Sequence, residues 1–359
     1  MLKYFLCIVI IFLSAPIHAV SQKNYDDLDF SAVDKFARSI RYDDDLNKLT
    51  QELVSPYTED IFKLRAIFIW VTDNIAYDYK LYNEGNSNAG FRCTGKKADC
   101  DIARAEWENA TIASVLEKKM GVCSGYSRLV KKMCELAGIK CEVVPGYVKK
   151  SPFQIGLTLN VTHAWNAVQI DGNYYFLDAT WAAGNGITNE DGDKLTGFKK
   201  DFHNYYWLTP FNKLVRNHFP ENEKWVMQKE YTKEKFFNTP YYAGPILDKI
   251  ELISPNTGML NAKKGDTIHF EFSYNSKISY IQVNSNTYRS PTLPVVRNAS
   301  NELVIRTNDS SLIKNARFIP FKQTSNNYKF DYVVTDQSLY YMEILFDFRM
   351  VMKFKIKVE

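Results

Sequence analysis

The residues in this sequence best suited to chemistry are one cysteine, one histidine and one aspartate. The cysteine, Cys123, lies between Gly121 and Gly125, directly ahead of a helical pattern that continues to about residue 137. A helix N-terminus carries partial positive charge and free N–H groups, so a thiol placed there ionises more easily, and the thiolate is the nucleophilic form. The alternative is a small cysteine that only packs at a turn. The residues further along the chain decide between the two.

A predicted β-hairpin brings a base and an orienting group to one face of a sheet. Its strands cover 162–170 and 173–178, and the Asp171-Gly172 pair between them is the signal for a two-residue type I′ turn. That loop length sets the register so that Asp178 is the diagonal neighbour of His163 on the same face. A three-residue loop would place the two side chains on opposite faces.

Together these three side chains predict a catalytic triad. His163 would take the proton of the Cys123 thiol, and Asp178 would fix the tautomer and orientation of the histidine. The alternative is a buried core histidine beside an aspartate that only ends a strand. The chain has only 5 histidines, so we favour the triad.

The first residues predict export. Lys3 gives a short positive region, residues 5–13 form an unbroken apolar run, and small residues lead to Ala19. This pattern is typical of a secretory signal peptide over 1–19, and the apolar run is too short to span a bilayer comfortably. No second apolar segment of membrane length follows. We therefore expect a secreted or periplasmic protein without a stable membrane span.

The cysteine count favours a free thiol. Of the 6 cysteines, one lies in the predicted signal peptide, and the odd number left over leaves at least one unpaired after export. Cys93 and Cys100 flank a polar loop that a disulfide could close. Zinc is the other possibility for this pair, but no further ligand pair with suitable spacing is present. Cys134 and Cys141 are either buried thiols or a second bridge, and Cys123 stays unpaired in both cases.

Composition argues against several other classes of partner. The chain has 359 residues, is 45% hydrophobic and 24% charged, and carries a formal net charge of +4 without a long run of lysine or arginine. We therefore expect no nucleic-acid binding. The acidic segment 189–193 resembles half of a calcium loop but lacks the bidentate glutamate that such a loop needs. We predict neither a metal nor another cofactor.

The length of the chain and the change in sequence pattern along it predict two domains after a short N-terminal segment. Residues 20–57 carry short helical patterns, and 58–240 form the core that holds the three side chains. Residues 246–359 alternate strand-like runs with Asn, Ser, Gly and Pro. This alternation predicts an all-β, antiparallel sandwich of immunoglobulin-like size, although the cysteine and tryptophan signature of that family is missing.

Within the core, several elements are predicted from pattern alone. The strongest helix covers 59–75, where apolar residues surround nearly the whole circumference. Residues 77–106 are predicted to be a long polar loop, followed by a short helix over 110–120. A strand over 140–149 contains Pro145-Gly146, which predicts a bulge or an edge position. Residues 183–197 are predicted to be a loop.

A set of motifs in order resembles a known family. The sequences GVCSGY (121–126), HAWNAV (163–168) and LDATW (177–181) resemble those of the transglutaminase-like superfamily. YWLTP (206–210) and HFP (218–220) are similar to its kyphoscoliosis-peptidase branch. The resemblance covers about residues 58–228. It implies a papain-like α+β core in which a helix carrying the cysteine packs on an antiparallel sheet carrying the histidine and the aspartate.

The resemblance also implies acyl transfer. The roles of nucleophile, base and orienting group fall on Cys123, His163 and Asp178, and the thiolate would attack an amide to form a thioester. The oxyanion needs donors, and the backbone N–H of Cys123 is the natural one. Weaker candidates are Trp107 and Asn109. Trp165 could line a substrate groove or shield the thioester, or it could simply pack in the core.

Two functions follow as expectations. The first is an exported thiol-dependent enzyme acting on protein or peptide amides, with hydrolysis favoured slightly over transamidation. The second is a non-catalytic binding or scaffolding protein. In either case, residues 246–359 could contact a cell surface or wall.

Overall fold

The computed structural model describes residues 25–85, 91, 93–299 and 303–359. The predicted signal peptide over 1–19 lies outside these described residues. Within them, no helix combines the length and the apolar character needed to cross a membrane. The helices are α1 (Ser31–Ser39), α2 (Leu46–Val54), α3 (Asp60–Asn74), α4 (Tyr79–Asn83), α5 (Lys97–Lys118), α6 (Cys123–Leu136), α7 (Ala179–Ala183), α8 (Phe211–Leu214), α9 (Lys233–Asn238) and α10 (Ser310–Asn315).

The strands fall into a site-bearing group and a C-terminal group. The first group is β1 (Ala76–Tyr77), β2 (Met120–Gly121), β3 (Cys141–Val148), β4 (His163–Ile170), β5 (Asn173–Leu177), β6 (Gly184–Thr188), β7 (Leu195–Lys200) and β8 (His218–Pro220). The second is β9 (Tyr241–Tyr242), β10 (Ile250–Ser254), β11 (Met259–Ala262), β12 (Thr267–Tyr274), β13 (Ile281–Ser285), β14 (Val295–Arg297), β15 (Leu303–Ile305), β16 (Phe321–Thr324), β17 (Asn327–Val333), β18 (Tyr341–Phe346) and β19 (Arg349–Val358).

Helix α3 is the centre of the first core, as its apolar circumference predicts. Most of its residues are buried. Its one buried cation, Arg65, bonds both carboxylate oxygens of Asp34 at 2.7 and 2.8 Å and lies over the rings of Phe30 and Trp207. A buried charge needs such a partner to offset its desolvation. The pair therefore holds α1 against α3.

The sheet that carries the site has the order β5-β4-β3-β8 and is antiparallel throughout. The predicted hairpin register is confirmed, because Ile170 pairs with Asn173 and Asn166 with Leu177. Both turn residues have positive φ, 50° at Asp171 and 81° at Gly172, as a type I′ turn requires. Helix α6 packs on β4 and β3.

The predicted edge or bulge at Pro145-Gly146 is wrong. Strand β3 lies between β4 and β8, and its register with β4 is continuous through Pro145. Strand β8 pairs with β3 only from Gly146 onwards, and the Pro145 carbonyl accepts the N–H of Glu221 at 3.0 Å. The Pro145 nitrogen therefore faces β8 at the point where the pairing of β8 with β3 ends. Its missing N–H does not interrupt the ladder of hydrogen bonds between these strands.

Two predicted loops are in fact regular structure. Helix α4 and the first part of α5 lie within the predicted loop 77–106, and α5 continues through most of the predicted helix over 110–120. Only Ile112, Val115 and Leu116 of this helix are buried, so its first half has no apolar stripe to reveal it. The predicted loop 183–197 contains most of the hairpin β6–β7.

The C-terminal region contains two packed sheets, β10-β12-β17-β16 and β11-β19-β18-β13, with β9 pairing to β19. Their facing aromatic side chains meet, as in the pair Phe272 and Phe346, whose ring centroids lie 5.0 Å apart. The purely antiparallel, all-β prediction is wrong in two details. Strand β11 is parallel to β19, and α10 interrupts the strands. The immunoglobulin likeness stays a prediction.

The junction between the two regions is held by buried cations. Arg216 donates to the Leu247 carbonyl and to Glu251. The Lys149 ammonium group is buried and donates to the carbonyls of Phe236 and Thr239 at 3.0 and 2.6 Å. Arg216 thus binds the segment before β8 to the start of the C-terminal region, and Lys149 binds the end of β3 to α9 and Thr239.

Gly146 gives a first testable prediction. A Cβ at this position would lie 2.3 Å from the Trp165 ring and 2.4 Å from the Phe219 carbonyl oxygen. We expect Gly146→Ala to lower the free energy of unfolding by about 3 kcal/mol, because the sheet must shift to admit the methyl group. Denaturant titration measures this. The control is Gly244→Ala, whose Cβ meets nothing within 4 Å, and an equal loss in both variants would contradict the packing argument.

Candidate active site

Cys123 is the first residue of α6, and its position is fixed from several sides. The Tyr126 hydroxyl donates to the Ile75 carbonyl at 2.6 Å, and the Asn166 amide of β4 donates to the Ser127 carbonyl at 2.9 Å. A Cβ at Gly125 would come within 2.7 Å of Val115, so this glycine allows α5 to approach the start of α6. The motif residues around the cysteine thus serve to place the helix N-terminus.

His163 and Asp178 meet at the open end of the hairpin. The His163 Nε2 atom lies 2.6 Å from Asp178 Oδ2. The other carboxylate oxygen, Oδ1, accepts the N–H groups of Thr180 at 2.8 Å and Trp181 at 3.1 Å. Asp178 is therefore also the N-cap of α7, and this role fixes the direction in which its carboxylate faces.

The thiol and the imidazole interact directly. The imidazole of His163 and the backbone N–H of Ala164 both act on the Cys123 thiol and favour its thiolate form. Because Nε2 of His163 is bonded to Asp178, the ring faces the thiol with Nδ1. Cys123 and His163 are 3% and 5% exposed, so their charges interact with little screening by water.

The electrostatics of the site favour an ion pair. Burial disfavours the thiolate, but the charge and hydrogen bond of His163 lower the pKa of the Cys123 thiol below its usual value. Burial also disfavours the imidazolium, but the charges of Asp178 and Cys123 raise the pKa of His163 to about 9. Although Asp178 is buried, its contacts with His163 and His218 hold the pKa of its carboxyl well below the usual range.

His218 is a further side chain at this site that the sequence did not place there. The HFP motif by itself predicts no contact with the triad, yet the Nε2 atom of His218 lies 3.1 Å from Asp178 Oδ2. Its Nδ1 atom lies 2.7 Å from the side-chain oxygen position of Asn217. Only the pairing of β8 with β3 brings His218 here, and this pairing has no local signal. The recurrence of the motif in the family branch was the one available sign.

Trp165, the predicted neighbour of the site, and Trp181 of α7 differ in their surroundings. The Trp165 ring stacks on His163 with centroids 6.1 Å apart, is 1% exposed, and belongs to the core beneath the sheet. Trp181 lies 5.6 Å from His163 and borders the cavity at the site. Trp165 therefore packs behind the imidazole, whereas Trp181 faces the space in front of it.

The weaker oxyanion candidates lie on α5. Trp107 packs on Phe91 and over the Arg128 guanidinium at 4.2 Å, and Asn109 is exposed. Their proposed role stays a prediction. The N-terminal end of the same helix carries a disulfide between Cys93 and Cys100.

The remaining thiols are buried. Cys134 and Cys141 are unbridged, and a hydrogen bond donated to Cys141, together with burial, raises the pKa of the Cys134 thiol. The possibility of a second bridge is therefore removed.

A cavity of about 470 Å³ lies in front of the imidazole. Its walls come from β1, the hairpin β6–β7, the segment after β3, and the junction with the C-terminal region. Its lining includes Tyr77, His163, Tyr241 and Leu247. Tyr77 also lies near the thiol, since burial and the Cys123 charge raise the pKa of its hydroxyl. The cavity is large enough for a side chain with its flanking backbone.

One group among the described residues has the composition of a metal site. His163, Asp178 and His218 each offer a ligand atom, and all of these atoms lie within 4.8 Å of one another. The two histidines already contact the same carboxylate oxygen at hydrogen-bond distances. An ion would have to displace both bonds, so we assign no metal here.

Comparison with known proteins agrees with this arrangement. Residues 47–179 match the model of the transglutaminase-like superfamily. Kyphoscoliosis peptidase of Mus musculus is 30% identical over 240 residues, 66% of this chain and 32% of that protein. Hillarin of Drosophila melanogaster is 29% identical over 227 residues, 60% of this chain and 25% of that protein. The chain thus spans about a third or less of the length of these relatives.

Among solved structures, the crystal structure of a TGase is 16% identical, with a TM-score of 0.27, and the match covers 48% of this chain and 37% of that one. The sequence motifs, the helix-borne cysteine and the antiparallel sheet agree with the family match. Residues 47–179 are a transglutaminase-like domain, and its relatives include the kyphoscoliosis peptidases.

Proposed function

We propose that this chain is a thiol-dependent acyl-transfer enzyme that acts on protein or peptide amides. The observation that carries the proposal is the buried constellation of the Cys123 thiol at a helix N-terminus, the His163 imidazole that acts on it, and Asp178, whose Oδ2 lies 2.6 Å from His163 Nε2. A nucleophile bonded to a base that is itself held by a third group is the arrangement that activates a thiol. The cavity beside His163 gives an amide a place to bind.

The first half-reaction would form a thioester. The Cys123 thiolate attacks the amide carbonyl carbon, and its electron pair forms the C–S bond while the C=O π electrons move to oxygen. The backbone N–H of Cys123, at the start of α6, is the expected donor to this oxyanion. The oxyanion then collapses, the C–N bond breaks, and the His163 imidazolium gives its proton to the leaving amine nitrogen.

The second half-reaction would release the acyl group. Neutral His163 takes a proton from water or from a primary amine as that nucleophile attacks the thioester carbonyl. The C–S bond then breaks, and the thiolate and imidazolium are restored. Water gives hydrolysis and an amine gives transamidation. We favour hydrolysis slightly, because the proteins similar to this chain include kyphoscoliosis peptidases.

The experiment that tests this proposal is a peptide-library incubation with an added primary amine, followed by mass spectrometry. We expect cleaved peptides or amine adducts with the wild type and neither with Cys123→Ala. Cleavage indicates hydrolysis and adducts indicate transamidation. If a correctly folded wild type gives no product that depends on Cys123, the protein is better explained as a binding or scaffolding module.

The activity should have a bell-shaped dependence on pH. The acidic limb reports protonation of the thiolate, and because the pKa of Cys123 is lowered, this limb should lie below the usual thiol value. The alkaline limb reports loss of the imidazolium proton, and it should fall near pH 9, since His163 has a pKa raised to about 9. Both limbs belong to the coupled pair. Rates that rise steadily through pH 9 would contradict the requirement for an imidazolium.

Export is part of the same proposal. The apolar run over 5–13 and the small residues before Ala19 are typical of a cleaved leader. The Cys93–Cys100 disulfide suits an oxidising compartment. We expect the mature chain in culture medium or periplasm to begin near residue 20, which N-terminal sequencing checks.

A further inference from the structure

His218 is a buried titratable group that the proposed mechanism does not use. It is 0% exposed, and its ring lies among Trp165, Trp181 and Tyr206 with centroid distances of 5.1, 4.6 and 5.8 Å. Its polar contacts join Asp178 on one side and Asn217 on the other. A histidine so enclosed must satisfy both ring nitrogens within the protein.

The protons of this network can be counted. Burial lowers the pKa of His218 to about 4, so the ring is neutral near pH 7 and carries one N–H. The Nε2 atom faces the carboxylate of Asp178, an acceptor, so the proton must lie on Nε2. Nδ1 is then an acceptor and needs a donor.

Asn217 can provide that donor. Its two side-chain amide atoms lie 2.7 Å from His218 Nδ1 and 3.1 Å from the Tyr206 hydroxyl. A half-turn of the amide exchanges its oxygen and nitrogen, and the choice between the two is set by the hydrogen-bond network. With the NH₂ group towards Nδ1, the amide oxygen accepts from the Tyr206 hydroxyl. An unbroken chain of hydrogen bonds then runs from the Tyr206 hydroxyl through Asn217 and His218 to Asp178.

We propose that His218 is a positioning residue that donates a second hydrogen bond to Asp178, with its tautomer fixed by Asn217 and Tyr206. This inference rests on the proposed function. Asp178 then accepts four hydrogen bonds, two on Oδ1 from the α7 backbone and two on Oδ2 from the histidines. The carboxylate is held against rotation, so Oδ2 stays directed at His163.

The groups facing His218 come from several elements. His163 on β4 has its ring centroid 5.3 Å away, Asp178 lies at the start of α7, and Tyr206 lies between β7 and α8. Lys150, after β3, also acts on His218, and its charge disfavours the protonated ring. The two cations and burial oppose a charge on His218, and Asp178 favours one. A neutral His218 that donates a hydrogen bond from Nε2 avoids the unfavourable charge and still satisfies Asp178.

Three variants test the role of His218 in turnover. His218→Leu removes the donor, and we expect kcat to fall about 10- to 100-fold with KM within about twofold, as for other residues that orient a catalytic ligand. His218→Gln keeps an amide donor near the Nε2 position and should recover most of the loss. The matched control is His269→Gln, which alters an exposed histidine paired with Asp331 at 2.7 Å, and it should match the wild type.

Asn217→Asp tests the tautomer itself. A carboxylate at 217 can only accept, so it should move the His218 proton to Nδ1 or make the ring cationic. Nitrogen-15 NMR of the imidazoles, recorded on Cys123→Ala, should show His218 with a protonated Nε2 and a bare Nδ1, and Asn217→Asp should change that pattern. This measurement needs no turnover and detects a role that loss of stability alone would not reveal.

The outcomes separate this inference from the proposed function. If His218 shows the Nε2–H tautomer but the wild type turns over no amide, the proposed function fails and the assignment of the hydrogen bond stands. If the wild type is active and His218 carries its proton on Nδ1, the assignment fails alone. It also fails if His218→Leu retains full kcat, or if His218→Gln is folded yet recovers nothing.

Discussion

Replacing Cys123 by alanine should reduce amide turnover by about 10⁵- to 10⁶-fold. The thiolate is the only group in the proposed mechanism that forms a bond to the acyl carbon. The fold should remain, because the hydrogen bonds from Tyr126 and Asn166 place the helix and are untouched. Steady-state rates and the melting temperature of the same preparations measure both effects.

The matched control for this variant is Cys134→Ala. Cys134 lies on the same helix, is buried, and is also unbridged. The Cys134→Ala change should lower the free energy of unfolding slightly and leave kcat unchanged. The Cys134 thiol has a raised pKa and is hydrogen-bonded to Cys141 within the core. Equal losses of turnover in the two variants would mean that the helix, and not the thiol, is what activity requires.

Asp178→Asn should reduce kcat by about 10⁴-fold, a loss known for the same change in a catalytic triad. The capping of α7 needs an oxygen towards the N–H groups of Thr180 and Trp181. The amide NH₂ would then face His163, and Nε2 of the ring would have to accept. The proton would move to Nδ1, towards the thiol, so that His163 could no longer take the thiol proton there.

Stability should change much less than activity in this variant, because the cap of α7 is retained. Chemical denaturation alongside kcat separates the two effects. A fall in activity that only follows unfolding would contradict the tautomer argument. Restoring the triad with Asp178→Glu is not expected, because the longer side chain would break the two capping bonds.

How far the site could be predicted from sequence depends on whether each signal is local. The Asp171-Gly172 turn fixes the register of its own hairpin, so the proximity of His163 to Asp178 follows from counting residues. The position of Cys123 at a helix start follows from the pattern on either side of it. These relations involve neighbouring segments and needed no knowledge of the tertiary fold.

The features that were missed depend on distant pairings or weak patterns. His218 reaches Asp178, 40 residues away in sequence, only because β8 pairs with β3. The polar first half of α5 gives no apolar periodicity, and the parallel pairing of β11 with β19 has no sequence signal. These features depend on contacts between segments that are distant in sequence. Such contacts leave no periodic pattern of apolar residues from which they could be predicted.

The central claim is that Cys123 and His163 form an ion pair at neutral pH. The most direct measurement is the ultraviolet absorbance of the thiolate, taken as wild type minus Cys123→Ala and titrated across the pH range. It needs no substrate and no access of a reagent to the buried sulfur. We predict a thiolate signal that is already present at neutral pH and is lost there in His163→Ala. A titration at the ordinary thiol pKa, unchanged by His163→Ala, would contradict the account.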